Sequence, residues 1–248
     1  MSKTIIITGA SRGIGAATAR LCGKRGWSVA VNYHGNEAAA KATAAAVEAA
    51  GGKAIVVKGD MAVEADVVAL FDATEKAFGP IDGVVSNAGT LEQSMPIADM
   101  SAARFNRIIG LNLIGALLVA REAARRMGKS RGGKGGSLVN LTSAATKLGA
   151  ANDFVDYAAS KGGVEAMNLG LSKELGPEGI RVNAIRPGMI DTEIQDLSGE
   201  KGRAARVGAT VPIGRAGTAD EVAEAIVWLL SDEAGYVSGA ILDVTGGR

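Results

Sequence analysis

The chain has 248 residues, with 27 lysines and arginines against 26 aspartates and glutamates, so its formal net charge is only +1. That balance argues against nucleic acid or an anionic membrane as the main partner. A single histidine, His34, and a single cysteine, Cys22, leave no material for a disulfide framework, a His- or Cys-based metal site or a Ser-His-Asp triad, and no metal is expected.

Residues 4–8 are a short, continuous apolar run, as in a strand buried on both faces. A helix is predicted over 13–25, a strand over 27–32 and an alanine-rich helix over 37–50 that Gly51-Gly52 stops. The alternation continues with a strand over 54–58, a helix over 64–78 ended by Gly79-Pro80, and a strand over 81–86. A long helix then covers 101–127, followed by a strand over 137–142 and a second long helix over 154–175, broken at 176–179. A strand over 180–186, a helix over 219–230 and a short strand over 240–244 complete the pattern. Between them, residues 189–214 are polar, glycine-containing and weakly periodic.

Strict alternation of strand and helix implies a mainly parallel sheet with helices on both faces. No composition shift, linker or repeat divides the chain, so one domain spanning 1–248 is expected. Cys22, among apolar neighbours in a helix, reads as a buried structural thiol. The basic run Arg125, Arg126, Lys129, Arg131 and Lys134 lacks interleaved aromatics and reads as a solvated loop. No run of eighteen apolar residues stands out, and residues 4–7 are too short for a signal peptide. The expectation is a cytoplasmic protein with no membrane partner.

Two stretches carry chemistry. The first is Thr8-Gly9-Ala10-Ser11-Arg12-Gly13-Ile14-Gly15, between the first strand and the first helix. There a dinucleotide fold presents backbone amides and a helix N-terminus to a pyrophosphate. No Gly-Lys-Ser/Thr follows, so it is not a P-loop. The second is Tyr157-Ala158-Ala159-Ser160-Lys161, which sets a phenol and an ammonium four residues apart on one helix face. A phenol ionises near ~10, and a fixed positive charge beside it favours the phenolate. A phenol tuned in this way can give a proton to a carbonyl oxygen or take one from an alcohol near neutral pH.

The glycine spacing together with Tyr157 and Lys161 resembles the short-chain dehydrogenase/reductase family. Further matches fall in family order along the whole chain: Ser86-Asn87-Ala88-Gly89, Asn112 within Leu111-Asn112-Leu113, Ser143 within Leu141-Thr142-Ser143, and Pro187-Gly188 with Thr192 beyond. Ser86 stands where the family usually has asparagine. The resemblance implies a Rossmann-type, doubly wound sheet of seven strands, with a substrate lid near 189–214. It implies Asn112, Ser143, Tyr157 and Lys161 as catalytic residues: Tyr157 as acid/base, Ser143 on the substrate oxygen, Lys161 serving phenol and cofactor, and Asn112 holding a relay water. It also implies a cofactor site of Gly9, Ser11, Arg12, Gly13, Ile14, Gly15, Asn32, His34, Asp60, Met61, Asn87, Ala88, Gly89, Tyr157, Lys161, Pro187, Gly188, Ile190 and Thr192. A homotetramer built on the two long helices and the C-terminal region is implied as well.

The second strand ends in Val31-Asn32-Tyr33-His34, without the acid that binds a ribose hydroxyl in NAD enzymes. Arg12 can donate to a 2′-phosphate, with His34 assisting, so NADP is expected over NAD. The substrate is a small carbonyl or alcohol. A 3-oxoacyl thioester and a sugar both remain open, with Arg104 and Arg107 as candidates to recruit an acyl carrier. Two readings of another kind are a nicotinamide-binding sensor without turnover and a methyltransferase on a related sheet. The second would leave Tyr157 and Lys161 without a role.

Overall fold

The computed structural model describes residues 2–248; Met1 lies outside them. Seven strands form one sheet: β1 (Thr4–Ile7), β2 (Ser28–Tyr33), β3 (Lys53–Lys58), β4 (Gly83–Ser86), β5 (Gly136–Leu141), β6 (Ile180–Pro187) and β7 (Ile241–Val244). Their order is β3-β2-β1-β4-β5-β6-β7, and every pairing is parallel. This is a doubly wound Rossmann-type sheet whose strand order reverses between β1 and β4, the place where such sheets bind ligands.

The strand period of two sorts side chains onto two cores. Ile5 and Ile7 face the side covered by α1 (Gly13–Lys24), α2 (Glu37–Ala49) and α9 (Ala219–Leu230), packing with Leu21, Val47 and Ile226. Ile6 faces the other side, against Phe71 of α3 (Glu64–Phe78) and Val119 of α5 (Gly115–Met127). Each fully buried isoleucine or leucine contributes roughly 2 kcal/mol by removal from water. Cys22 sits in the first core, where burial pushes its thiol up to about 12, so it is unreactive. Edge strand β3 is blunted by exposed Lys53 and Lys58 at its two ends.

The helix expected over 101–127 is not uniform. It runs as α4 (Ala102–Ile109), a π-helical turn over Gly110–Ile114, and α5. Asn112 lies in the π turn with its side chain committed to a neighbouring loop. Gly115 lets the helix approach the loop after β3, since a Cβ there would sit 2.9 Å from the Met61 carbonyl oxygen. By length and composition alone, Ala102–Met127 is apolar enough to cross a membrane, a property the sequence pattern had not suggested. Its Ile108, Val119, Ala123 and Met127 are buried in the protein.

The basic run is largely paired with acids. Arg125 meets Glu122 at 2.8 Å, Arg126 meets Asp72 and Glu75 at 2.6 Å each, and Lys134 lies 3.7 Å from Asp82. Two short helices appear that periodicity did not predict, α6 (Ala145–Leu148) and α8 (Arg203–Gly208). The second lies within the expected lid, alongside a 3-10 turn over Glu193–Ser198. The remaining helix is α7 (Val155–Glu174), which carries Tyr157 and Lys161.

Candidate active site

The ends of β1 and β4 are stapled together. The Thr8 hydroxyl accepts from the backbone amides of Asn87 and Ala88, both at 2.9 Å. The Asn87 side chain donates to the carbonyls of Thr8 at 2.8 Å and Gly9 at 3.1 Å. Gly9 takes a left-handed φ of 62°, and a Cβ there would meet the Ala88 backbone at 3.0 Å. At Gly15 a Cβ would lie 2.7 Å from both the Gly9 carbonyl oxygen and the Asn87 amide nitrogen. The loop and the first turn of α1 therefore close on each other with no room for side chains. Arg12 precedes α1 in extended backbone, with no side-chain cap and no acid in the first turn. That leaves the first-turn amides of α1 free of a side-chain cap, as an anion cradle requires.

This cradle opens into a cavity of about 690 Å³ lined by Ser11, Arg12, His34, Asp60, Ala88 and Gly89 among others. Arg12 is exposed and has no ion-pair partner among the described residues. His34 Nδ1 lies 3.9 Å from Asp60 Oδ2, and Asp60 Oδ1 accepts from the Ala62 amide at 2.9 Å. Two expected cofactor residues line this cavity with their side chains turned into the protein. Asn32 is buried, and its side chain is spent inside the protein: Oδ1 accepts from the Gly9 amide at 3.0 Å, while Nδ2 donates to Val57 and Gly59 carbonyls at 3.3 and 3.1 Å. It shapes the glycine loop and has no amide hydrogen left for a ligand. Met61 turns its side chain into the core while still lining the cavity.

A second cavity of about 460 Å³ adjoins the first and shares Ile14, Asn87, Gly89, Thr192 and Ile194 with it. At its base lie Ser143, Tyr157 and Lys161. Ser143 follows β5, and its Oγ accepts from the Ala145 amide at 3.2 Å. Lys161 is buried and donates to the Leu141 carbonyl at 2.8 Å, with Nζ 5.8 Å from the Tyr157 ring centre. Gly89 makes room for it: a Cβ there would lie 3.4 Å from Lys161 Nζ.

The electrostatics differ from what the spacing suggests. Burial pushes the Tyr157 phenol up, and a hydrogen bond with Ser143 pulls the other way. Burial also brings the Lys161 ammonium down to about 8. Lys161 is hydrogen-bonded to a strand carbonyl and lies beside the ring, so desolvation outweighs charge in setting the phenol.

The Asn112 side chain is engaged within the protein. Its Oδ1 accepts from the Thr90 amide at 2.8 Å, and Nδ2 donates to the Thr90 carbonyl at 2.9 Å and Ser160 Oγ at 3.2 Å. The side chain ties the loop after β4 to α7, so a relay water at this position would be held by the backbone rather than by the side-chain amide. Arg104, a candidate for recruiting a carrier, is corrected. It is buried and paired with Asp156, Nε to Oδ2 at 2.7 Å and Nη2 to Oδ1 at 3.2 Å. Arg107 is paired with Glu92 at 2.8 Å.

Several supporting residues escaped the sequence reading. Asp156 Oδ1 accepts the Tyr157 amide at 2.9 Å, so the Arg104–Asp156 pair anchors the first turn of α7. Glu165 accepts from the hydroxyls flanking Ser143, Thr142 at 2.6 Å and Thr146 at 2.7 Å, and from Arg186 at 2.7 and 2.9 Å. Burial pushes the Glu165 carboxyl up, but the bonds from Arg186, Thr142 and Thr146 outweigh it and hold the group below its usual range.

At the far side, Pro187 ends β6 and Gly188 follows it. A Cβ on Gly188 would lie 2.7 Å from the Thr245 backbone. Ile190 is buried and bridges to Gly217. Thr192 lies over the glycine loop, its Cγ2 3.5 Å from where a Cβ on Gly13 would be. The expected cofactor residues thus converge from both sides of the switch point.

A tyrosine beside a buried lysine, opening onto an anion cradle at the reversal of a parallel sheet, defines a nicotinamide-dependent oxidoreductase. A family model described as enoyl-(acyl carrier protein) reductase matches residues 9–248. The uncharacterized oxidoreductase YgfF of Escherichia coli K12 is 46% identical over 243 residues, 98% of each chain. The 3β-hydroxysteroid dehydrogenase 1 of Eggerthella lenta is 39% identical over 99% of this chain and 93% of its own. Glucose 1-dehydrogenase 2 of Bacillus subtilis is 38% identical over 99% and 94%. The crystal structure of levodione reductase superposes with a TM-score of 0.90 at 31% identity, covering 99% of this chain and 96% of that one. The chain belongs to the short-chain dehydrogenase/reductase family, whose members use NAD(P).

Proposed function

We propose that the protein interconverts a carbonyl and a secondary alcohol with NADP(H), using Tyr157 as acid and base. The observation that carries this reading is the continuity of the two cavities, one with the anion cradle and the other with Ser143, Tyr157 and Lys161 at its base. The bound nicotinamide supplies or accepts the hydride. Ser143 holds the substrate oxygen through its hydroxyl, and Tyr157 delivers the proton to that oxygen. Lys161, charged below about 8, stabilises the phenolate left behind.

The choice of NADP rests on the exposed Arg12 and the absence of a carboxylate from Val31-Asn32-Tyr33-His34. Tyr157→Phe should keep NADPH binding, read by fluorescence titration, and lose nearly all turnover. Near-normal activity in that variant would overturn the assignment. A higher kcat/KM with NADH than with NADPH would overturn the cofactor choice. We also infer a homotetramer, because Ile114, Leu117 and Leu169 leave an exposed apolar face on α5, α7 and the turn between α4 and α5. Light scattering tests it, and a monomer would refute it.

A further inference from the structure

We propose that the substrate is a compact, uncharged ketone with apolar flanks, a ring ketone above all. This rests on the reading of the site as a carbonyl reductase. The cavity over Ser143 and Tyr157 has a volume of about 460 Å³, and because Ile14, Asn87, Gly188, Ile190 and Thr192 on its cofactor side also line it, a bound nicotinamide would take part of that space and leave room for a small ring. Beyond the reacting end its walls are Leu91, Ala144, Leu148, Phe154, Met189 and Ile194. Leu148 stands half exposed at the rim, where an apolar ligand would cover it.

Most polar groups of the wall beyond the reacting end are already engaged. Arg203 is bound to Asp153 through both Nη atoms, lies 3.4 Å from Glu200, and stacks on the Phe154 ring with 4.9 Å between guanidinium carbon and ring centre. Asp153 is neutralised by that same contact. Gln195 donates its amide to the Ile190 carbonyl at 3.2 Å, and Thr142 turns its hydroxyl to Glu165. A carboxylate ligand would have to break the Asp153–Arg203 pair or rely on a solvated arginine at the chain's last position. A sugar would bury several hydroxyls without partners, each costing on the order of tenfold in binding. The exposed Arg248 also lines the cavity and is the cation a charged substrate would have to use.

The test is steady-state NADPH oxidation, or NADP reduction for glucose, across matched probes: decalone, a tert-butyl cyclohexanone, its carboxylate analogue, D-glucose and acetoacetyl-CoA. The expected result is a kcat/KM for the two neutral ring ketones at least about tenfold above the other three. Leu148→Glu should lower kcat/KM for decalone by about tenfold with the KM for NADPH unchanged. If the carboxylate analogue, glucose or the thioester equals or exceeds the neutral ketones, the substrate class is wrong while carbonyl reduction stands. NADPH binding without turnover of any probe would overturn both.

Discussion

Lys161 holds an ammonium inside the protein, and replacing it should separate stability from activity in a pH-dependent way. Burial lowers its ionisation from 10.5 to about 8. A shift of that size corresponds to about 3 kcal/mol of destabilisation while the group stays charged. Below about 8 both native and unfolded chains hold the proton, so Lys161 adds no pH slope. Between about 8 and 10.5 only the unfolded chain keeps it, and native stability rises with pH. Lys161→Met removes this rise. It also strips the Leu141 carbonyl of its 2.8 Å donor, a cost of about 1–3 kcal/mol.

The variant should therefore be about as stable as the parent, or slightly more so, near neutral pH. Near pH 10.5 it should have fallen behind by about 3 kcal/mol relative to that starting difference. Urea unfolding followed by tryptophan fluorescence, with both proteins measured across the range, gives the difference directly. Parallel stability curves would refute the argument, because they would mean that the ammonium is not desolvated. Turnover should be lost in the variant at every pH.

The same group sets the pH dependence of the reaction. The kcat for reduction should fall as pH rises through about 8, as Lys161 loses the charge that stabilises the phenolate, and a profile flat well beyond that point would refute it. Arg104→Met strands Asp156 in the interior and should cost about 3–5 kcal/mol in urea unfolding. Adding Asp156→Leu should recover most of that loss, and failure to do so would mean that the buried charge is not the cause. Gly15→Ala forces a methyl to within 2.7 Å of the Gly9 carbonyl and should destabilise by about 1–3 kcal/mol while weakening NADPH binding. An unchanged dissociation constant for NADPH would show that the loop absorbs the change. Arg12→Ala should reduce kcat/KM with NADPH far more than with NADH, and an equal loss would remove Arg12 from cofactor choice.

The alternation of strands and helices was legible because an apolar run such as 4–8 is too short for a helix and too apolar to lie on a wet surface, which leaves a strand covered on both faces. The glycine loop was legible for a similar reason: Gly9 and Gly15 stand where no side chain fits. Periodicity could not reveal where buried polar groups find partners. Asn32 looked available at the end of β2, yet three backbone groups from two other segments consume it. Asn112 broke the helical pattern, but the π turn that accommodates it depends on Thr90, 22 residues away. The spacing of Tyr157 and Lys161 gave their shared face, but not that burial raises the phenol and lowers the ammonium, since burial is a property of the packed neighbours. Arg104 and Asp156 were invisible as a pair because 52 residues separate them.

The staple between β1 and β4 has a consequence for the order in which the protein takes shape. The glycine loop is among the first segments to be synthesised, but its geometry is held by bonds to residues 78–80 positions further on. β1 likewise pairs with β4, so its inner edge stays open until residue 83 and its neighbours exist. Closing so long a segment delays the reward for forming the loop. A growing chain shorter than about 90 residues therefore carries the loop sequence without its fixed shape, and competence to bind nucleotide arrives late, with the middle of the sheet.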